Sequence, residues 1–343
     1  MHSVLAYFTS YFDPRRAAPL LNHSAGQIAS HLYDALREFG PVTYLDAEDR
    51  PSGLAADLYI GHFWNYLPIA EANRFQKRIA FYAVSDPDRR RGLLHSLAAR
   101  FNVPLPVWDF PPSHFDHAAT MRNADLVLVV GNSCTLETFA PEWRPKLRLL
   151  NYSVDRALYS RAAALPKRND LCYVATQCGL RKGFMDVLDA WPPLNPPGSS
   201  LHVIGAIEPP WDRLLAARNT GNIVYHGWID SHLPAYADIL GRCRFAYIPT
   251  YEEGQMGSLL EAMHCGCVPI TTRASGIDDH VLEHAILIEP LDIPQQQAAI
   301  LDALSWPPEK FALRRQAISA ALDRFHDWAA FASGVKSALA ELF

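Results

Sequence analysis

The chain has 343 residues, 49% of them apolar and 20% charged, with a formal net charge of −5. That length gives room for two cores of ordinary size, and the acidic balance excludes a general attraction to nucleic acid. No run of about 18 apolar residues is present, so no membrane-spanning helix is expected. The opening "MHSVLAYFTSYF" lacks a basic flank and a long apolar core, and so does not read as a secretion signal. A cytoplasmic protein is the expectation. Six cysteines are scattered through the chain, several inside apolar runs, and read as buried reduced thiols. Cys265 and Cys267 have no second Cys/His pair at zinc spacing, so no metal site is expected.

Short apolar runs alternate with longer amphipathic segments from the start. "SVLAYFT" reads as a strand, and "SAGQIASHLYDALREFG" as a helix with Ile28, Leu32, Ala35 and Leu36 on one face and Gly40 ending it. "PVTYLD", "ADLYIGH", "KRIAFYAV" and "ADLVLVVG" continue the series as strands buried on both faces of a parallel sheet. The polar, proline-marked stretch 151–169 reads as an interdomain linker. The alternation then restarts with "DLCYVAT", "SLHVIGA", "GNIVYHG", "RFAYIPT", "CVPITT" and "HAILIEP", and the last 35 residues read as one or two long helices. The pattern predicts two doubly wound α/β domains facing each other across a cleft. Ligands in such sheets bind beyond the carboxyl ends of the strands.

The loops at those ends hold the candidate chemistry. In "TQCGLRKGFMDVLDAW", Arg181 and Lys182 precede a helix that starts near Gly183. A lysine there opposes the helix dipole. It reads either as a surface lysine on a tolerant turn or as part of a phosphate site with the helix amides. In "NIVYHGWIDSHLPAYADIL", His226 and Gly227 read as the end of a strand, and Asp230 or Ser231 as the start of a helix. In "PTYEEGQMGSLLEAMHCGCVPI", Gly254 and Gly257 let backbone approach a ligand before a second helix start. Ser258 and Glu261 have the spacing of a capping box, with the serine as N-cap. That leaves Glu252 and Glu253 unexplained. Carboxylates flanking a donor-rich loop suit a ligand with a phosphate in the middle and a polyol at each end. Glu253 is the sharper candidate, and Glu252 is expected to face solvent.

The stretch "PTYEEGQMGSLLEAMHCGCVPITTRASGIDD" resembles the donor-binding signature of retaining glycosyltransferases of the GT-B fold, family 4 type. Its two glutamates separated by seven residues correspond to Glu253 and Glu261. "CYVATQCGLRKGFMDVLDA" is similar to the family's earlier Lys-Gly segment, and "NYSVD" stands where the family has N-G-V-D. The likeness covers the C-terminal half well and the N-terminal half loosely. It implies two Rossmann-like domains. Residues 1–155 would form an acceptor-side domain, with 326–343 packing back on it, and 156–325 a donor-binding domain. By the same resemblance, Glu253 contacts sugar hydroxyls and Glu261 holds the ribose. The backbone of Gly254, Gln255, Met256, Gly257 and Ser258 lines the sugar and diphosphate, and Lys182 neutralises the leaving diphosphate. Gly26 faces the donor from the other domain. Two positions depart from the family pattern. Thr176 stands where an arginine is usual, with Arg181 nearby, and Ser85-Asp86 stands where a histidine is common. His62, ending "DLYIGH", is read either as a structural histidine or as an active-site one.

The implied activity is a retaining, metal-independent transfer of a sugar from a nucleotide-diphosphate sugar to a hydroxyl acceptor. That acceptor would be a glycan, a lipid-linked precursor or a small molecule. No cofactor is expected beyond the donor substrate. A nucleotide-sugar binding protein, or an epimerase or phosphorylase on the same frame, are the competing readings. The basic segment 88–101 reads either as a solvated helix face or as a peripheral contact with an anionic membrane.

Overall fold

A computed structural model describes residues 1–15, 24–105, 110–219 and 221–343. In chain order the elements begin with β1 (Ser3–Tyr7), α1 (Ser24–Arg37), β2 (Val42–Asp46), β3 (Ala55–His62), α2 (Tyr66–Ala72) and β4 (Arg74–Tyr82). There follow α3 (Pro87–Phe101), α4 (His117–Asn123), β5 (Leu126–Val130), α5 (Ser133–Thr138), β6 (Leu147–Leu150) and α6 (Arg156–Ala163). Next come β7 (Arg168–Gln177), α7 (Phe184–Leu194), β8 (Leu201–Ala206), α8 (Trp211–Arg218), β9 (Ile223–Tyr225), α9 (Pro234–Arg242) and β10 (Cys243–Ile248). The chain closes with α10 (Gly257–His264), β11 (Val268–Thr271), α11 (Asp279–Leu282), β12 (Ile286–Leu287), α12 (Ile293–Ser305), α13 (Pro308–Phe325) and α14 (Trp328–Ala340).

The chain forms two compact units, 1–91 with 107–152 and 326–343, and 92–106 with 153–325. Each holds a six-stranded sheet whose pairings are all parallel. The predicted α/β class and its two Rossmann-like sheets are thus observed. β1 and β5 are buried along their whole length, as expected of apolar strands covered on both faces.

In the first unit the order is β2-β1-β3-β4-β5-β6. The order in which strands are added changes side between β1 and β3, the place where sheets of this kind bind ligands beyond the carboxyl ends of the strands. Helix α1 buries Ile28, Ala29, Leu32, Ala35 and Leu36 on one face. The last helix, α14, belongs to this unit. Its Trp328 stacks on His31 of α1 at 4.0 Å, and just beyond it Glu341 pairs with Arg148 of β6 at 2.5 Å.

In the second unit the order is β12-β11-β10-β7-β8-β9, and the change of side falls between β7 and β10. The stretch read as a linker carries structure. Asp155 accepts from the Ala157 amide and starts α6, which buries Tyr159 and Ala162 against this unit. The polar character of 151–169 hid a one-sided helix of only eight residues. Asp230 and Ser231 do not start a helix either. Asp230 accepts from the His232 amide in a turn, and α9 begins at Pro234 after Leu233. Among the described residues no cysteine forms a disulfide. No helix among the described residues is long and apolar enough to cross a membrane.

Candidate active site

Two loops meet where the strand order of the second sheet changes side, one after β7 and one after β10. The β7 loop turns into α7 through Gly183, whose φ of +68° puts it in the left-handed region. A Cβ there would lie 1.9 Å from the Pro249 carbonyl oxygen, so glycine is what allows the two loops to touch. The backbone of the β7 loop is then pinned. The Arg181 carbonyl accepts from the Tyr251 amide (2.9 Å) and the Thr250 hydroxyl (3.1 Å). The Lys182 carbonyl accepts from the Tyr173 hydroxyl at 3.2 Å. With both carbonyls held, the Arg181 and Lys182 side chains have a fixed origin.

The β10 loop is held from below. Thr272 donates its hydroxyl to the Thr250 carbonyl at 2.6 Å, and the Met256 amide donates to Ser275 at 3.0 Å. Gly276, at φ +67°, passes so close that an added Cβ would lie 1.4 Å from the Gly254 carbonyl oxygen. Gly254, Gln255 and Met256 are buried, while Gly257 and Ser258 are half-buried at the first turn of α10. The Met256 amide is therefore committed within the protein, which removes it from the expected set of ligand-facing amides.

The expected capping box is not formed. Helix α10 starts at Gly257, with Met256 in the N-cap position. Ser258 instead donates to the Val174 carbonyl of β7 at 3.1 Å, tying the helix start to the neighbouring strand. Glu261 turns sideways, where the Tyr236 hydroxyl of α9 donates to its Oε2. Glu252 does not face solvent. It is 5% exposed.

The charges converge on Glu253. Its Oε1 accepts from Lys182 Nζ at 2.5 Å and from Arg181 Nη1, and the three side chains are only 9–14% exposed. Burial pushes the Glu253 carboxyl up, but the Arg181 and Lys182 charges outweigh it and hold the group down at about 2. Glu261 behaves oppositely. Burial pushes it up to about 7, against hydrogen bonds from Tyr236 and Tyr159 and the more distant Lys182 charge. One carboxylate is locked ionised by two cations; the other sits among hydroxyls near its titration point. Two cations against Glu253, beside the amino end of α10, make a region suited to a polyanion with attached hydroxyls.

The remaining predicted residues are Thr176, Gly26 and His62. Thr176 is exposed near the end of β7 and adds no charge. Gly26 and His62 belong to the first unit. Gly26 is buried in the first turn of α1. His62 ends β3, ringed by Phe8 and Phe63 at 4.8 Å, Tyr7 at 5.3 Å and Trp64 at 5.6 Å. Burial pushes it down to about 3, and its Nδ1 is buried with no hydrogen-bond partner among the described residues. At neutral pH it is an uncharged ring. Asp86, noted only as a departure, has a firm place. One oxygen accepts from the Asp88 and Arg89 amides at the start of α3, and the other lies 3.2 Å from His117 Nε2. Sequence reasoning missed Tyr236 and Tyr159, since neither occurs in a recognisable motif.

Residues 168–305 match the sequence model of the family described as glycosyl transferases group 1. No curated protein matches the chain in sequence. Among solved structures, the chain is similar to an alpha,alpha-trehalose-phosphate synthase (UDP-forming) from Burkholderia vietnamiensis. The identity is 14% and the TM-score 0.68, over 99% of this chain and 98% of that one. It is similar to Anabaena HepE in complex with UDP and glucose, at 12% identity and TM-score 0.67 over 99% of both chains. It is also similar to the sucrose-phosphate synthase of Thermosynechococcus elongatus, at 18% identity and TM-score 0.66 over 100% and 99%. At these identities the likeness shows the fold, in both units and over their full length.

Proposed function

We propose that this chain, a GT-B glycosyltransferase carrying a glycosyl transferases group 1 domain at 168–305, transfers a sugar with retention from a nucleotide-diphosphate sugar to a hydroxyl acceptor. The observation that carries the reading is the meeting of Arg181, Lys182 and Glu253 where the strand order of the second sheet changes side. As the sugar–phosphate bond breaks, negative charge collects on the departing diphosphate. Arg181, Lys182 and the α10 amino end supply fixed positive charge there, which lowers the barrier where charge develops. Glu253 already pairs with both cations. Donor binding exchanges one anionic partner for another, and frees Glu253 to accept from hydroxyls of the transferred sugar. Glu261 takes the ribose. The acceptor is assigned to the first unit, where β3 ends at His62 beside Tyr7 of β1. The acceptor hydroxyl attacks from the face the leaving group departs, and a departing phosphate oxygen takes its proton. This assignment routes charge neutralisation through side chains, so the activity is expected to be independent of divalent metal.

The test is nucleotide release from a panel of UDP-, GDP- and ADP-sugars, with and without sugar and sugar-phosphate acceptors. Lys182→Ala should lower turnover by about 100-fold or more while leaving the fold intact, and chelator should leave wild-type turnover unchanged. Undiminished turnover in Lys182→Ala would sink the assignment. Nucleotide release without a glycosylated product, or donor binding without turnover, would favour the epimerase or binding-protein reading.

A further inference from the structure

Glu261 is set in an unusual environment for a residue that is to hold a ligand. Its carboxyl is met by Tyr236 from α9, whose hydroxyl donates to Oε2, and by Tyr159 from α6. Both phenols are buried. Tyr159 has a single hydroxyl proton, shared between Glu261 and the Ser231 carbonyl, which lies 3.5 Å away. The two rings lie edge to face at 6.4 Å, so each limits the other's movement. The other titratable groups facing Glu261 are Cys265, at the end of α10, and Lys182, from the β7 loop. Burial pushes Tyr236, Tyr159 and Cys265 all upward, so the phenols stay protonated donors and the thiol stays neutral through the neutral range. A carboxylate has about four lone-pair sites. The Tyr236 donor and the shared Tyr159 proton leave at least two of these sites.

We propose that Tyr236 and Tyr159 are positioning residues for donor binding, fixing the Glu261 carboxylate so that its remaining lone pairs accept the adjacent hydroxyls of the donor's ribose. The inference rests on the assignment of Glu261 to the nucleotide made above. It has a consequence that a purely structural role lacks. The ribose needs the carboxylate form, and the phenols favour that form by hydrogen bonding. Removing one phenol should shift the pH at which the donor is held, and not only weaken binding.

The experiment is calorimetric titration of the full-length protein with UDP-glucose and GDP-mannose between pH 5.5 and 9. Their diphosphate diesters do not change charge across that range. Wild-type affinity should rise with pH through about 7. Tyr236→Phe should move the midpoint up by about one pH unit, giving about a fivefold loss of affinity at pH 7 that closes by pH 9. Tyr159→Phe should move it in the same direction, and Glu261→Gln should give a flat profile. A parallel titration of carboxyl carbons in glutamate-labelled free protein should show the Glu261 midpoint rising in Tyr236→Phe. A loss equal at every pH, or an unmoved Glu261 midpoint in the free protein, overturns the positioning role. If neither nucleotide sugar binds the wild type, the donor assignment itself fails, while the carboxyl titration still decides whether the phenols control Glu261.

Discussion

The Glu253 cluster makes a quantitative prediction through the substitution Glu253→Gln. The carboxyl sits at about 2 rather than its ordinary 4.5. At 1.36 kcal/mol per unit this corresponds to about 3 kcal/mol favouring the folded, ionised form. The side chain is 9% exposed, so solvent screening takes little from that figure. Breaking a buried pair from one side costs a similar amount, about 3–5 kcal/mol, because the partner charges remain. Here two cations would be left facing each other. The sign follows from the depressed value. The stabilisation is complete above about pH 4.5 and is lost as pH falls toward 2. Glutamine carries no such dependence. Scanning calorimetry should therefore show the second unit of Glu253→Gln melting roughly 6–12 °C lower than wild type at pH 7, with the gap narrowing steadily between pH 5 and 3. Turnover should be lost at every pH. A variant as stable as wild type at pH 7, or a gap unchanged by acid, would refute the charge arrangement.

Two further outcomes are expected. Gly276→Ala forces a Cβ to within 1.4 Å of the Gly254 carbonyl at a left-handed φ, and should cost about 1–3 kcal/mol or more while weakening nucleotide binding; calorimetry showing neither effect would mean the loop is not held as described. His62→Phe should be close to neutral at pH 7 and more stable than wild type by about 2 kcal/mol at pH 5. The unfolded chain takes up a proton below about pH 6.5 that the buried ring, held near 3, does not; denaturant melts giving equal losses for both proteins on acidification would contradict this.

Much of the fold was legible because parallel strands buried on both faces are near-continuous apolar runs. β5, "LVLVV", and β10, "CRFAYI", announce themselves without any partner. Helix α6 was not legible, because it is short, three of its eight residues are charged or polar, and only Tyr159 and Ala162 are buried. The site divided along the same line. Lys182 and Glu253 lie in local patterns whose spacing carries information. Tyr236 and Gly276 act on Glu261 and Gly254 across the fold, and nothing local to either residue marks that role. The capping-box expectation failed for a definite reason. The spacing of Ser258 and Glu261 permits reciprocal capping, but the Val174 carbonyl and the Tyr236 hydroxyl compete for the same groups and hold them. Glu252 was misplaced because charge suggests exposure, whereas the side chain is buried in the loop that the Thr272 and Ser275 contacts hold.

The second sheet ends in very short strands. β9 has three residues and β12 two, while the ten-residue β7 lies in the interior, flanked by β10 and β8. An outermost strand presents a row of unsatisfied amides and carbonyls, and its length sets how many bonds another chain could form along it. Here the longest run of β-forming sequence is the one with both sides already occupied. A chain crowded by copies of itself meets only two or three residues of template at either margin. Self-association by strand addition is thereby limited by geometry, without charged guards or proline at those positions.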